Sequence, residues 1–183
     1  MSELKTYGVV LAAGAGVRFG GPKAPYVYNG KRLIDRAVMT LKEGGCDQVI
    51  AVLGAWVGEV PLADVIVVNP DWSEGLSTSL AIALKELFNS SVDRCCITLV
   101  DMPGLTPIAV ARVLNTEGEL IQATYAGKPS HPVVIARDHW APLLAQLEGD
   151  SGARKYLISQ GAKVVNIAID DVADGKDLDF QPT

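Results

Sequence analysis

Cationic excess, paired cysteines and long apolar runs are all missing from this 183-residue chain, and each absence removes a class of function. Sixteen lysines and arginines stand against 21 acids, a formal charge of −5 with a sequence pI near 5.0. A surface that tracks nucleic acid or anionic lipid needs the opposite balance, so neither is expected as a partner and any phosphate site must be local. Three cysteines, Cys46, Cys95 and Cys96, are an odd number, and two adjoin within an apolar run. They read as reduced core residues rather than catalytic ones. The two histidines, His131 and His139, share no recognisable ligand spacing, which argues against a catalytic metal built on them. No apolar stretch approaches about 18 residues and no charged-then-apolar leader opens the chain, so a cytoplasmic protein is expected.

What is present is a composition 49% hydrophobic and 20% charged, enough for a real core in a single domain over residues 1–183. Tyr7 to Ala12, Gln48 to Leu53, Val65 to Val68 and Cys95 to Val100 are short aliphatic and β-branched runs, as in strands buried on both faces. Between them Leu33, Ala37, Val38 and Leu41, then Leu76, Leu80, Ala83, Leu84 and Leu87, recur at helical spacing. The alternation predicts an α/β fold of βαβ units with a mostly parallel sheet. Thr106 and Pro107 read as cap and first turn of a helix to about Leu114. Glu119 to Tyr125 and Pro132 to Ala136 could form two strands about a turn holding Gly127 and Pro129. Asp150 or Ser151 could cap a helix through Gln160, and Lys163 to Ile169 reads as a last strand.

The segment "AAGAGVRFGGPK", residues 12–23, follows the first strand with glycines at 14, 16, 20 and 21, two cations and no acid. After a parallel strand it lies at the carboxyl edge of the sheet, where ligands bind. The spacing of Gly14, Gly16 and Gly20 also fits a dinucleotide loop, which would make the protein a nicotinamide-dependent oxidoreductase. That reading needs a ribose-binding acid about 20 residues on, at the tip of the second strand. The second strand ends instead near Leu53 and Gly54, with no acid. Arg18 and Lys23 point to a more highly charged ligand, a triphosphate.

"LAAGAGVRFGGPK" resembles the signature loop of the nucleotidyltransferases of molybdenum cofactor maturation. "NPDWSEGLSTSL", "LVDMPGLTP", "GKPSHPVVI", "GDSGAR" and "DLD" continue the resemblance in order, and the later blocks look closest to the cytidylyl-transferring branch. The resemblance implies a Rossmann-like three-layer α/β/α sandwich of the nucleotide-diphospho-sugar transferase type. It also implies transfer of a nucleoside monophosphate from a triphosphate to an acceptor phosphate, with release of pyrophosphate. CTP is the favoured donor and GTP the alternative; the acceptor would be molybdopterin, or phospholactate in a guanylyl-transferring variant. A molybdoenzyme or chaperone is a further implied partner.

Within that resemblance, Leu11, Ala12, Ala13, Gly14, Ala15, Gly16 and Val17 would wrap the nucleotide through their backbone. Arg18 would hold β- and γ-phosphates with its planar fork, and Lys23 would place a compact charge at the α-phosphate. Asp101, ending the run "LVD", would hold magnesium, with manganese as a substitute. The second ligand aligns with Asp179, with Asp177 as the alternative; Phe180 and Gln181 stand where the family usually has threonine and proline. Gly75 would let the backbone press against base or ribose, and Ser77, Thr78 or Ser79 could cap the following helix and bind nucleotide. Trp72 reads as packing its loop onto the sheet. In the second half His131, Asp150 and Arg154 are candidate acceptor contacts. An acceptor phosphate is already ionised at neutral pH, so no general base is required.

Overall fold

In the computed structural model, which describes residues 4–181, the four apolar runs become β1 (Thr6–Leu11), β4 (Gln48–Leu53), β5 (Val65–Val68) and β6 (Arg94–Leu99). They are joined by α1 (Leu33–Glu43) between β1 and β4, and by α2 (Leu76–Phe88) between β5 and β6. The second half adds α3 (Pro107–Leu114), β7 (Leu120–Tyr125), β8 (Lys128–Ala136), α4 (Trp140–Leu144), α5 (Arg154–Gln160) and β9 (Val164–Ala168). A hairpin of β2 (Val27–Tyr28) and β3 (Lys31–Arg32) precedes α1.

The main sheet runs β5-β4-β1-β6-β8-β7-β9. Only β8 opposes its neighbours; every other pairing in it is parallel. Alternate residues of β1 serve opposite layers. Val10 packs with Leu33, Val38 and Leu41 of α1 and Val110 of α3, whereas Val9 and Leu11 pack with Leu80 and Leu84 of α2, Trp140 of α4 and Leu157 of α5. The result is three layers, helices on both faces, as the uniformly apolar strands predict. From β1 the chain moves out through β4 to β5, then crosses back to β6 on the other side of β1. That reversal opens a crevice at the carboxyl tips of β1 and β6, the usual place for a ligand in an open α/β sheet. No described helix is long and apolar enough to cross a membrane.

The turn between β7 and β8 is Ala126 and Gly127 alone. Pro129 lies inside β8, opposite Thr124, so β8 begins earlier than its apolar half suggested. The helix expected from Asp150 or Ser151 begins at Arg154 and has no side-chain cap. Asp150 caps a different helix: its Oδ1 accepts from the amide of Leu76, the first residue of α2, at 3.2 Å. Cys46, Cys95 and Cys96 are buried and unpaired, and burial pushes the Cys95 thiol up to about 12. His139 sits between the Tyr156 hydroxyl and Glu119, at 2.6 and 3.1 Å, away from the crevice.

Thr106 fulfils its expected role and one more. Its Oγ1 accepts from the amide of Ala109 at 3.2 Å and donates to the carbonyl of Val172 at 2.7 Å. It therefore caps α3 and ties down the C-terminal segment together. Thr106→Ala is expected to lower stability by about 1 to 2 kcal/mol, read as a lower urea midpoint at unchanged slope.

Candidate active site

Residues 12–23 leave β1 and are pinned to β4: the amide of Ala12 donates to Val52 and that of Ala55 to Ala13, both at 2.9 Å. Further out the loop closes on itself, with the amides of Gly20 and Gly21 donating to the carbonyl of Gly16 at 2.9 and 3.1 Å. Gly16 has φ +60°, and a Cβ there would lie 2.0 Å from the carbonyl oxygen of Gly21. Only glycine permits this turn. Among the described residues, the amides of Gly14 through Arg18 have no protein acceptor. A run of unpaired donors on a closed turn is a cradle for an anion.

The amides opening α2 are already taken. Leu76 donates to Asp150, and Ser77 and Thr78 donate to the carbonyls of Gly149 and Gly75 at 3.0 and 3.2 Å. The Ser77 hydroxyl donates to the carbonyl of Glu148 at 2.9 Å. Asn69, buried at the end of β5, donates to Thr78 and Ser79, both at 2.9 Å. Ser77 thus fastens the loop before α5 to α2 instead of facing a ligand, and none of Ser77, Thr78 and Ser79 caps the helix. Gly75 also changes meaning. At φ +118° its absent Cβ would stand 2.6 Å from the carbonyl oxygen of Gly149, so glycine is required there by the packing of this second loop.

These segments surround a cavity of about 350 Å³ lined by Leu11 to Gly16, Lys23, Trp72, Gly75, Ser79, Asp101 and Asp150 among others. Trp72 serves both expected and additional purposes, packing against the sheet and walling the cavity. Val17 is 88% exposed at the loop tip, outside the lining. Asp150, expected among the acceptor contacts, belongs to this first cavity.

The charged groups meet at the cavity's edge. Lys23 Nζ lies 2.7 Å from Asp101 Oδ2 and 3.7 Å from Asp179 Oδ1. Arg18 lies 3.4 Å from Asp179, largely exposed, so that pair contributes little to stability. The C-terminal segment reaches this place because the amide of Leu178 donates to the carbonyl of Asp101 at 2.8 Å. Asp101 Oδ1 is buried with no hydrogen-bond partner. Asp177 lies on the next cavity; burial raises its carboxyl, reinforced by the charges of Asp101 and Asp179. Among the described residues no three His, Cys, Asp or Glu side chains converge as a metal site.

A second cavity, about 590 Å³, adjoins the first and shares Leu11, Leu76 and Leu99 with it. His131 and Arg154 line it as expected, and so do Lys128 and Gln122, which sequence reasoning passed over. Lys128 stood within "GKPSHPVVI"; Gln122 left no signal, being one polar residue inside an apolar strand. Burial pushes the His131 imidazole down to about 4 against the opposing charge of Asp101. Burial therefore favours the neutral imidazole of His131.

The sequence profile of the MobA-like NTP transferase domain matches residues 8–164. The chain belongs to this family. MobA-like NTP transferases are nucleotidyltransferases, and the crevice carries the anion cradle that such an activity needs. Nicotine blue oxidoreductase of Paenarthrobacter nicotinovorans is 36% identical over 94% of this chain and 91% of its own. Molybdenum cofactor cytidylyltransferase of Escherichia coli K12 is 25% identical over 70% of this chain and 69% of its own. Rv0371c of Mycobacterium tuberculosis H37Rv is 27% identical, with a TM-score of 0.75 over 92% of this chain and 90% of its own. Rv0371c has also been solved in complex with manganese, and that structure is 26% identical, with a TM-score of 0.70 over 90% of this chain and 88% of its own.

Proposed function

We propose that this MobA-like NTP transferase moves CMP from CTP to a phosphorylated acceptor, molybdopterin first among them, and releases pyrophosphate. The observation that carries the reading is Lys23, held between Asp101 and Asp179 at the edge of a cavity whose loop presents unpaired amides. The cytidylyltransferase among the relatives supports the choice of CTP. The β- and γ-phosphates lie on the amides of Gly14 to Arg18, with Arg18 closing over them. Lys23 holds the α-phosphate and the bridging oxygen. An oxygen of the acceptor phosphate attacks the α-phosphorus in line, a new phosphorus–oxygen bond forms, and the bond to the bridging oxygen breaks. The attacking oxygen carries no proton to remove, so the step asks for no general base.

The donor set fits a divalent cation. Asp101 Oδ1 is buried without a partner, and Asp179 Oδ1 lies 3.7 Å from the same ammonium that Asp101 holds. Magnesium accepts few carboxylates and completes its shell with phosphate oxygens and water, so Asp101 and Asp179 suffice. When bound, it neutralises phosphate charge and makes the α-phosphorus more electrophilic. Manganese is the alternative, supported by the complex of Rv0371c with that metal. With magnesium, molybdopterin and CTP, pyrophosphate release is expected; preference for GTP would move the assignment to guanylyl transfer. No turnover with any triphosphate would remove it.

A second reading is favoured by one observation, the oxidoreductase name of the 36% identical relative. CTP with magnesium is expected to raise the unfolding temperature and reduced nicotinamide cofactors to leave it unchanged. The reverse pattern would favour the oxidoreductase.

A further inference from the structure

Asn69 is 2% exposed, yet both ends of its side-chain amide are engaged. It follows β5, where its backbone amide donates to the carbonyl of Leu53 at 2.8 Å and holds it at the carboxyl tip of the strand. Pro70 comes next and restricts the chain to a turn, across which Asn69 Oδ1 accepts from the amide of Asp71 at 3.0 Å. That bond assigns the orientation of the side chain, because the amide turned over would set its NH2 against an N–H. Nδ2 therefore points to α2, where it donates to Thr78 Oγ1 and Ser79 Oγ, each at 2.9 Å.

The two hydroxyls differ in what they have left. Thr78 takes a hydrogen from Asn69 and gives its own to the carbonyl of Gly75 at 2.9 Å or of Asp71 at 3.0 Å. Ser79 takes the other hydrogen, and among the described residues its own finds no acceptor. Ser79 is 3% exposed and lines the first cavity, whereas Thr78 and Asn69 do not. A buried hydroxyl that accepts from a fixed donor and has no other partner has one thing to offer the cavity, its hydrogen.

We propose that Asn69 is a positioning residue for the nucleoside: by donating to Ser79 it turns the serine hydrogen into the first cavity, toward an acceptor oxygen or ring nitrogen of the ligand. The role rests on the transfer reading above for its ligand, since there the phosphates take the glycine-loop amides and Lys23 and leave the nucleoside to the wall that holds Ser79. Asn69→Asp reverses the sense. A carboxylate still accepts from Asp71 but accepts from Ser79 as well, so the hydroxyl turns inward and shows the cavity its lone pairs.

The test is titration calorimetry of CTP with magnesium on the full chain, without acceptor. Ser79→Ala is expected to weaken CTP by about tenfold and Asn69→Asp by at least that much, the loss for a hydrogen bond left unmade in a buried site. Asn69→Ala, which frees the hydroxyl without reversing it, should cost less than Asn69→Asp. A merely structural asparagine gives the opposite order, because aspartate keeps the shape and the bond to Asp71 while alanine loses both. In a Ser79→Ala background neither change at Asn69 should cost more than about twofold further, since the role acts through that hydroxyl. Urea midpoints read folding separately; if Asn69→Asp does not fold, the cycle of Asn69→Ala with Ser79→Ala decides alone. Losses that persist undiminished without the Ser79 hydroxyl overturn the proposal, as does Asn69→Asp binding CTP like the unaltered chain. Unaltered CTP affinity in Asn69→Asp together with pyrophosphate release keeps the transfer reading and removes the positioning role. The expected affinities with no pyrophosphate release from any triphosphate do the opposite, and no binding of CTP or GTP by the unaltered chain overturns both.

Discussion

Lys23→Ala lowers the rate of the proposed transfer by on the order of 100- to 1,000-fold, the loss seen when one preorganised group stabilising developing charge is removed. The side chain is 14% exposed and touches one carboxylate that is 18% exposed, so its ammonium works where water screens it weakly. In the proposed placement of the triphosphate, the charge building on the bridging oxygen would fall beside this ammonium. Asp101→Ala is expected to cost as much, because it removes the carboxylate with the unpartnered buried oxygen. The double variant should be little worse than either single one, since the two residues act as a unit. Steady-state pyrophosphate release reads all three. Circular dichroism separates loss of chemistry from loss of fold. Wild-type rates in either single variant would mean that the chemistry lies elsewhere.

Gly16→Ala acts through the backbone instead of through charge. Its Cβ would stand 2.0 Å from the carbonyl oxygen of Gly21, at a φ of +60° that side chains rarely adopt. The turn must open, and the amides from Gly14 to Arg18 no longer converge. A displacement of about 1 Å in a positioning element costs about 100-fold, so CTP affinity and turnover should both fall by about that factor. Global stability should change little, because the loop tip buries only Phe19 in the core. Titration of CTP followed by thermal denaturation distinguishes the two effects; unchanged CTP affinity would show that the amide cradle is not where the phosphates bind.

The strands and layers were legible because β1, β4 and β6 are covered on both faces, which forces continuous apolar runs that few other structures need. Short elements were harder. The β2–β3 hairpin has only two residues per strand, too few for a period, although Asn29 and Gly30 at φ 48° and 78° form the kind of turn their pairing signals. α4 contains Pro142 and spans one turn, so neither propensity nor spacing marked it.

Within the site, the meeting of Lys23, Asp101 and the glycine loop at one cavity was readable, because each stands at the carboxyl tip of a strand that the apolar runs mark. Residues whose role depends on a distant partner were not. Ser77 looks like a nucleotide contact beside α2 yet fastens the loop at Glu148 to Asp150, more than 70 positions away, and Gly75, which lines the first cavity, also packs against that loop. Asp150 is likewise a cap, but for a helix that precedes it in the chain. The choice between Asp177 and Asp179 turns on how the C-terminal segment is laid against Asp101, a tertiary hydrogen bond invisible in "KDLDF".

The central claim is that the bond broken is the one between the α-phosphorus and the bridging oxygen of a nucleoside triphosphate. CTP labelled at the α-phosphate, incubated with the protein, magnesium and molybdopterin, tests it directly. The label is expected to move into the acceptor as unlabelled pyrophosphate appears in equal amount. Label retained in CTP, with the protein instead oxidising a reduced nicotinamide cofactor, would contradict it.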